Sequence, residues 1–149
     1  MATRQERQFT VTLRLRRSFA APRERVFRAW TTPAEMMLWK APGDMTTPLA
    51  EVDLRPGGKY RIHMRAPDGA EHHLIGVYRV VEPPRKLVYT WRWDSEPDAP
   101  ETLVTVEFLD RGGATDLVLT HEMFPNEAAK GKHEHGWTGC LDKLARVVA

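Results

Sequence analysis

The stretch THEMFPNEAAKGKHEHGW, residues 120 to 137, gathers His121, His133 and His135 with Glu122, Glu127 and Glu134. Imidazoles and carboxylates at this density are the material of a transition-metal site or of general acid-base chemistry. Which of these is open to the chain depends on where each side chain points. Two histidines on a helix share a metal at a spacing of four. His133 and His135 are two apart, about 200° around a helix, so they face opposite sides. On the preceding strand His121 is in phase with Leu117, Leu119 and Met123, hence inward, while Glu122 alternates outward.

Only His121 and His133 then face the interior together, and no inward carboxylate accompanies them. The expectation is no metal and no cofactor, with His135, Glu122 and Glu134 in solvent. Each inward imidazole has two readings. It is either a core histidine satisfied by one hydrogen bond, to a backbone carbonyl or Trp137, or the polar lining of a cavity, able to exchange a proton near neutral pH. His63 is in phase with arginines and reads as surface. His72 and His73 are adjacent in a strand and lie on opposite faces; Gly76, Tyr78 and Val80 continue the His72 face, and which face is inward is open. Nothing forms a Ser-His-Asp elbow or a nucleotide loop, and RPGGK leads into a strand where phosphate binding wants a helix N-terminus.

The elements that position these residues follow from periodicity. QFTVTLRLRRSF, residues 8 to 19, alternates Phe9, Val11, Leu13 and Leu15 against Thr10, Thr12, Arg14 and Arg16, a half-buried strand. Pro22 opens a short helix with Val26, Phe27 and Trp30 on one stripe, ending near Thr31, and Pro33 opens a second, PAEMMLWK. Six strands follow: TTPLAEVDL, KYRIHMR, EHHLIGVYRVV, KLVYTWRW, TLVTVEFL and TDLVLTHEM. Turn chemistry in RPGG, PDG, EPPR, the acidic loop 94–101 and DRGG separates them. In KLVYTWRW, Leu87, Tyr89, Trp91 and Trp93 share one face, which must look inward. The C-terminal segment has helical period, with His133, Trp137, Cys140, Leu141, Leu144, Val147 and Val148 on one stripe. Strands in series with helices at the ends predict an α+β fold, the long helix covering the apolar face of the sheet.

The chain has 149 residues, 42% hydrophobic and 28% charged, which fits one domain over 1–149 with one core. No apolar run is long enough for a membrane span, and MATRQERQFTV has no apolar block that could act as a signal, so a cytoplasmic protein is expected. The lone Cys140 closes no internal disulfide and reads as a buried small hydrophobe. A net charge of +2 and a pI near 8.9 permit weak attraction to polyanions, but the arginines are scattered and no aromatic-basic motif accompanies them. Nucleic-acid binding is not expected.

APRERVFRAWTTPAEMMLW, EVDLRPGGKYRIHMRAPDG, GVYRVVEPPRKLVYTWRW, VTVEF, TDLVLTHEMF and HEHGWTGCLDKLA resemble, in this order, the activator of heat-shock protein 90 ATPase homologue-like family. That family belongs to the SRPBCC superfamily of START-like and birch-pollen-allergen-like proteins, and the resemblance covers nearly the whole chain. It implies a helix-grip fold, a curved antiparallel sheet of six or seven strands wrapped around a long C-terminal helix and enclosing a hydrophobic cavity. Relatives of that architecture bind lipids, sterols and polyketides, and some are cyclases. The family supplies no universal catalytic residues, so a cavity position is carried over and no mechanism.

A cavity between the strand faces and the helix stripe nominates Trp39, Tyr60, Met64, Tyr78, Tyr89, Trp91, Trp93, His121, Met123, His133, Trp137 and Cys140 as lining. The expected partner is a small hydrophobic or aromatic molecule, its polar end fixed by His121 and His133. An alternative is a polyketide cyclase-like or hydratase-like enzyme with a cavity histidine as general base. A co-chaperone for a heat-shock ATPase is suggested only by the family name and is not expected. A homodimer could form between the loop 94–101 and the arginine-rich first strand.

Overall fold

A computed structural model describes residues 9 to 149; the reading of the first eight residues, including the start of the first strand at Gln8, lies outside the described residues. The alternating segments form β1 (Val11–Phe19), β2 (Thr46–Val52), β3 (Lys59–Arg65), β4 (Glu71–Glu82), β5 (Lys86–Trp93), β6 (Thr102–Asp110) and β7 (Thr115–Phe124). They make one seven-stranded sheet, β1-β7-β6-β5-β4-β3-β2, antiparallel throughout. β2 to β7 are joined in sequence, and β1 closes on β7. The β3–β4 turn is made by Asp68, whose Oδ1 accepts from the Ala70 N–H at 2.9 Å, and by Gly69 at φ +90°, a conformation that costs other residues about 1–2 kcal/mol.

The sheet bends where its register slips, at Val11/Leu13 of β1, Thr46/Leu49 of β2 and Tyr78/Val80 of β4, since a bulge kinks a strand and raises its twist. Curvature also needs room on the concave side. Gly76 supplies it in β4, where an added Cβ would lie 2.3 Å from the Tyr60 ring and 2.0 Å from the Thr90 carbonyl oxygen.

Three helices complete the chain: α1 (Arg23–Thr31), α2 (Pro33–Trp39) and α3 (Glu127–Val148). Pro22, at φ −65°, leads into α1, and Pro33 starts α2, where the missing proline N–H costs nothing. Asn126 caps α3 by accepting from the Ala129 N–H at 2.8 Å. The stripe read from the sequence is the face α3 buries: Trp137, Cys140, Leu141, Leu144 and Val148 lie inside, while Glu134 and His135 are exposed. Burying a side chain as large as Leu144 stabilises by about 1.5–3 kcal/mol, so this stripe is what holds the helix in the sheet. The result is the expected α+β helix-grip fold. Arg16 and Arg17 of β1 pair within the chain, with Asp116 and Asp142.

Candidate functional site

At one end of the grip, α3 and the sheet separate to leave a cleft of about 680 Å³. The sheet contributes Met64 of β3, His72 of β4, and Trp91 and Trp93 of β5. The helix contributes Ala129, Lys132, His133, Gly136, Trp137 and Cys140. Lys40, Pro42 and Met45, after α2, form one border, Phe124 to Asn126 another, and Glu96, Ala99 and Pro100 of the acidic loop a third. Carbon dominates this surface, and the volume lies in the range of small-molecule sites.

The two inward histidines sit beside this cleft in different states. His121 is 0% exposed and does not line it. Its Nδ1 accepts from Trp137 Nε1–H at 3.0 Å, which places the ring proton on Nε2. Nε2–H then donates to Thr102 Oγ1 at 2.7 Å, and the Thr102 hydroxyl donates to the Trp91 carbonyl at 3.1 Å. Both ring nitrogens of His121, the Trp137 indole N–H and the Thr102 hydroxyl are all satisfied with His121 neutral. Burial, and secondarily the neighbouring His133, hold its pKa well below the ordinary histidine value.

His133 does line the cleft. Its Nδ1–H donates to the Ala129 carbonyl at 2.8 Å, and its Nε2 accepts from Trp93 Nε1–H at 3.2 Å. Burial is the main cause that lowers its pKa, opposed by the Ala129 carbonyl. Phe124 packs on both imidazoles, with ring centroids 4.4 Å from His121 and 4.8 Å from His133. Trp91, also lining the cleft, buries its indole Nε1–H without an acceptor among the described residues. A buried donor left this way costs about 1–3 kcal/mol.

Lys40 is the least expected member. It follows α2 directly, is only 3% exposed, and lines the cleft. Its Nζ lies 4.7 Å from the ring centroid of Trp39, 5.1 Å from Trp30, 5.4 Å from Trp137 and 5.6 Å from Tyr89. Its backbone N–H donates to the Met36 carbonyl at 3.0 Å, but its amine makes no ion pair or hydrogen bond among the described residues. Desolvation brings its amine down to about 7, and the four ring faces oppose this by favouring the ammonium. Burial pushes the Cys140 thiol up to about 12, so it stays neutral and supplies no counter-charge.

Residues 20–149 match the family described as activator of Hsp90 ATPase homolog 1-like protein. The chain belongs to this family. Among solved structures, a protein of Chromobacterium violaceum is similar at 30% identity and TM-score 0.83, covering 92% of this chain and 96% of that one. The AHSA1 protein of Silicibacter pomeroyi is similar at 28% identity and TM-score 0.82, covering 91% and 96%. The AHSA1-like protein of Aeromonas hydrophila, solved by NMR, is similar at 28% identity and TM-score 0.77, covering 93% and 92%. No curated protein matches.

Within this AHSA1-like grip, six of the residues nominated from the sequence come together around the cleft: Met64, Trp91, Trp93, His133, Trp137 and Cys140. Trp39, Tyr60, Tyr78, Tyr89 and His121 are buried in packed core and do not line it. Trp39 and Tyr89 form the cage behind Lys40. Tyr60 donates from its hydroxyl to the Thr90 carbonyl at 2.6 Å. Met123 also stands apart, because period two fails at its position: it has φ +75°, and β1 matches Val11 to Phe124 and Leu13 to His121. One extra residue is accommodated there, so Phe124 turns inward in its place.

Sequence reasoning missed Lys40, Phe124 and the lining role of His72. A lysine ending a helix is exposed by default, and no local pattern marks this one. Its burial depends on Trp137 and Cys140, about a hundred residues further along the chain. Adjacent histidines in a strand do not show which is inward; Leu74 and Tyr78, both buried, place the His72 face of β4 inside.

A second cluster, His63, Glu71 and His73, brings three ligand atoms within 4.8 Å of one another on the other face of the sheet. The two imidazoles are stacked, 3.7 Å between centroids and 14° between planes. Imidazole lone pairs lie in the ring plane, so these run side by side and do not converge on one ion. Arg65 stands 3.8 Å from the Glu71 carboxylate and adds a competing cation. Among the described residues no helix is long and apolar enough to cross a membrane.

Proposed function

We propose that this chain is a small-molecule binding protein whose cleft takes an apolar or aromatic ligand bearing at least one acceptor oxygen. The observation that carries the reading is an apolar cleft of about 680 Å³ whose lining includes Lys40, a lysine whose amine lies among aromatic rings with no carboxylate paired to it among the described residues. Apolar walls supply affinity in proportion to buried area, and a few polar groups set orientation. An acceptor oxygen on the ligand would pair with the Lys40 amine. His133 and Trp93 already satisfy one another, so their role is to shape the wall.

A cyclase-like role with His121 as general base draws no support from the geometry, since both of its ring nitrogens are committed to Trp137 and Thr102. The family description names Hsp90; the proposed role predicts no stimulation of that ATPase by this chain in a direct activity assay. The binding reading is tested by native mass spectrometry of the protein isolated from its own cells. A non-covalent companion of low molecular mass that dissociates on denaturation is expected. Recovery of bare protein that also fails to bind a panel of aromatic carbonyl compounds and alcohols would overturn it.

A further inference from the structure

We infer that Lys40 is a reactive amine that condenses reversibly with an apolar aldehyde or ketone entering the cleft, so that the protein holds carbonyl compounds as a Schiff base. This rests on the cleft being a ligand site. Three features of the geometry carry it. Lys40 is among the residues lining the cleft, yet it is 3% exposed, so water around the amine is scarce. No carboxylate pairs with it among the described residues, so no ion pair locks the amine in its protonated form. Four aromatic faces surround Nζ at 4.7 to 5.6 Å.

Imine formation needs both protonation states at one place. The neutral amine attacks through its lone pair, and the product, a protonated imine, carries one positive charge. A dry, unpaired site favours the first, and the π faces stabilise the second. Burial, which brings this amine down to about 7, gives a substantial neutral fraction near neutral pH.

The step balances without an external oxidant or reductant. The Lys40 nitrogen forms a bond to the carbonyl carbon while the carbonyl π pair moves to oxygen, and proton transfer from nitrogen to oxygen gives a carbinolamine. The hydroxyl takes up one proton from water and leaves as water, the nitrogen lone pair forming the C=N bond. The net change is amine, carbonyl and one proton to iminium and water, and hydrolysis reverses it. Ligand choice follows from the walls. An aromatic or extended aliphatic carbonyl compound gains apolar contact from lining residues such as Trp91 and Met64, and a small hydrated aldehyde gains little from them.

The test uses 2-naphthaldehyde at stoichiometric amount with cyanoborohydride, which reduces the iminium to a stable secondary amine, followed by peptide mapping of the wild-type protein. Lys132 at the cleft border is the internal reference, being exposed. One adduct on Lys40 is expected, forming roughly tenfold or more faster than at Lys132, because an ordinary lysine is almost wholly protonated at neutral pH. Lys40→Met should abolish that adduct. If the variant fails to fold, the wild-type map still decides. Label on Lys132 and other exposed amines to the same extent as Lys40, or no adduct at all, would overturn the proposal. A parallel titration with the unreactive N-phenyl-1-naphthylamine separates the two levels: saturable binding without a Lys40 adduct leaves the ligand site standing and removes the imine, and absence of both removes each.

Discussion

Gly136 offers a perturbation whose effects on stability and on binding point in opposite directions. It lies inside α3, lines the cleft, and an added Cβ there would meet nothing within 4 Å. Glycine in a helix interior is less favourable than alanine by about 1 kcal/mol. Gly136→Ala should therefore stabilise, and for a chain of this size that gain corresponds to a rise of about 2–4 °C in Tm. Gly136→Leu keeps a good helix former but projects its isobutyl group into the cleft. Its Tm should be no lower than that of the wild type, while affinity for N-phenyl-1-naphthylamine should fall by about tenfold, a loss of about 1.4 kcal/mol. Thermal melts by circular dichroism and fluorescence titrations of the three proteins supply both readouts. A Gly136→Leu protein that binds the probe like the wild type would show that the cleft is not where apolar molecules enter. One that loses stability would show that the space beside Gly136 is not open.

His121→Ala should destabilise by about 2–4 kcal/mol, since it opens a cavity and strands the Trp137 donor and the Thr102 hydroxyl, and urea denaturation measures this. Stability should also rise with pH from about 5 to 9. Both His121 and His133 have pKa values lowered by burial, so below about 6.5 the unfolded chain takes up protons that the folded chain refuses, and their contribution is present above that value and lost as pH falls. Lys40 acts in the same direction between about 7 and its ordinary value, because the unfolded chain is protonated there and the folded chain is not. Denaturation midpoints across this range should slope upward, and the slope above neutrality should flatten in Lys40→Met; a flat wild-type profile would contradict the burial argument for all three groups.

Much of this arrangement is legible in local pattern. The alternation of Leu87, Tyr89, Trp91 and Trp93 fixes the inner face of β5, and the spacing of His133, Trp137, Cys140, Leu141 and Leu144 fixes the buried stripe of α3, because one face of each is apolar throughout. The separation of His133 from His135 is legible for the same reason. Position within the inner face is not. Whether an inward aromatic lines the cleft or packs behind it depends on how far α3 stands from the sheet, a distance set by many residues together. Met123 escapes periodic reading because one extra residue shifts every later side chain to the other face. Lys40 escapes it because half of the ring cage that buries it, Tyr89 and Trp137, is remote in sequence.

The central claim, that the cleft takes an apolar small molecule, is tested most directly by the methyl NMR signals of the six methionines. Met45 and Met64 line the cleft; Met36 is buried elsewhere, and Met37 is exposed on α2. Titration with N-phenyl-1-naphthylamine should move the Met45 and Met64 methyls along a saturable one-to-one curve and leave Met36 and Met37 in place. Still Met45 and Met64 signals at saturating probe, or shifts that appear first at Met37, would contradict the account.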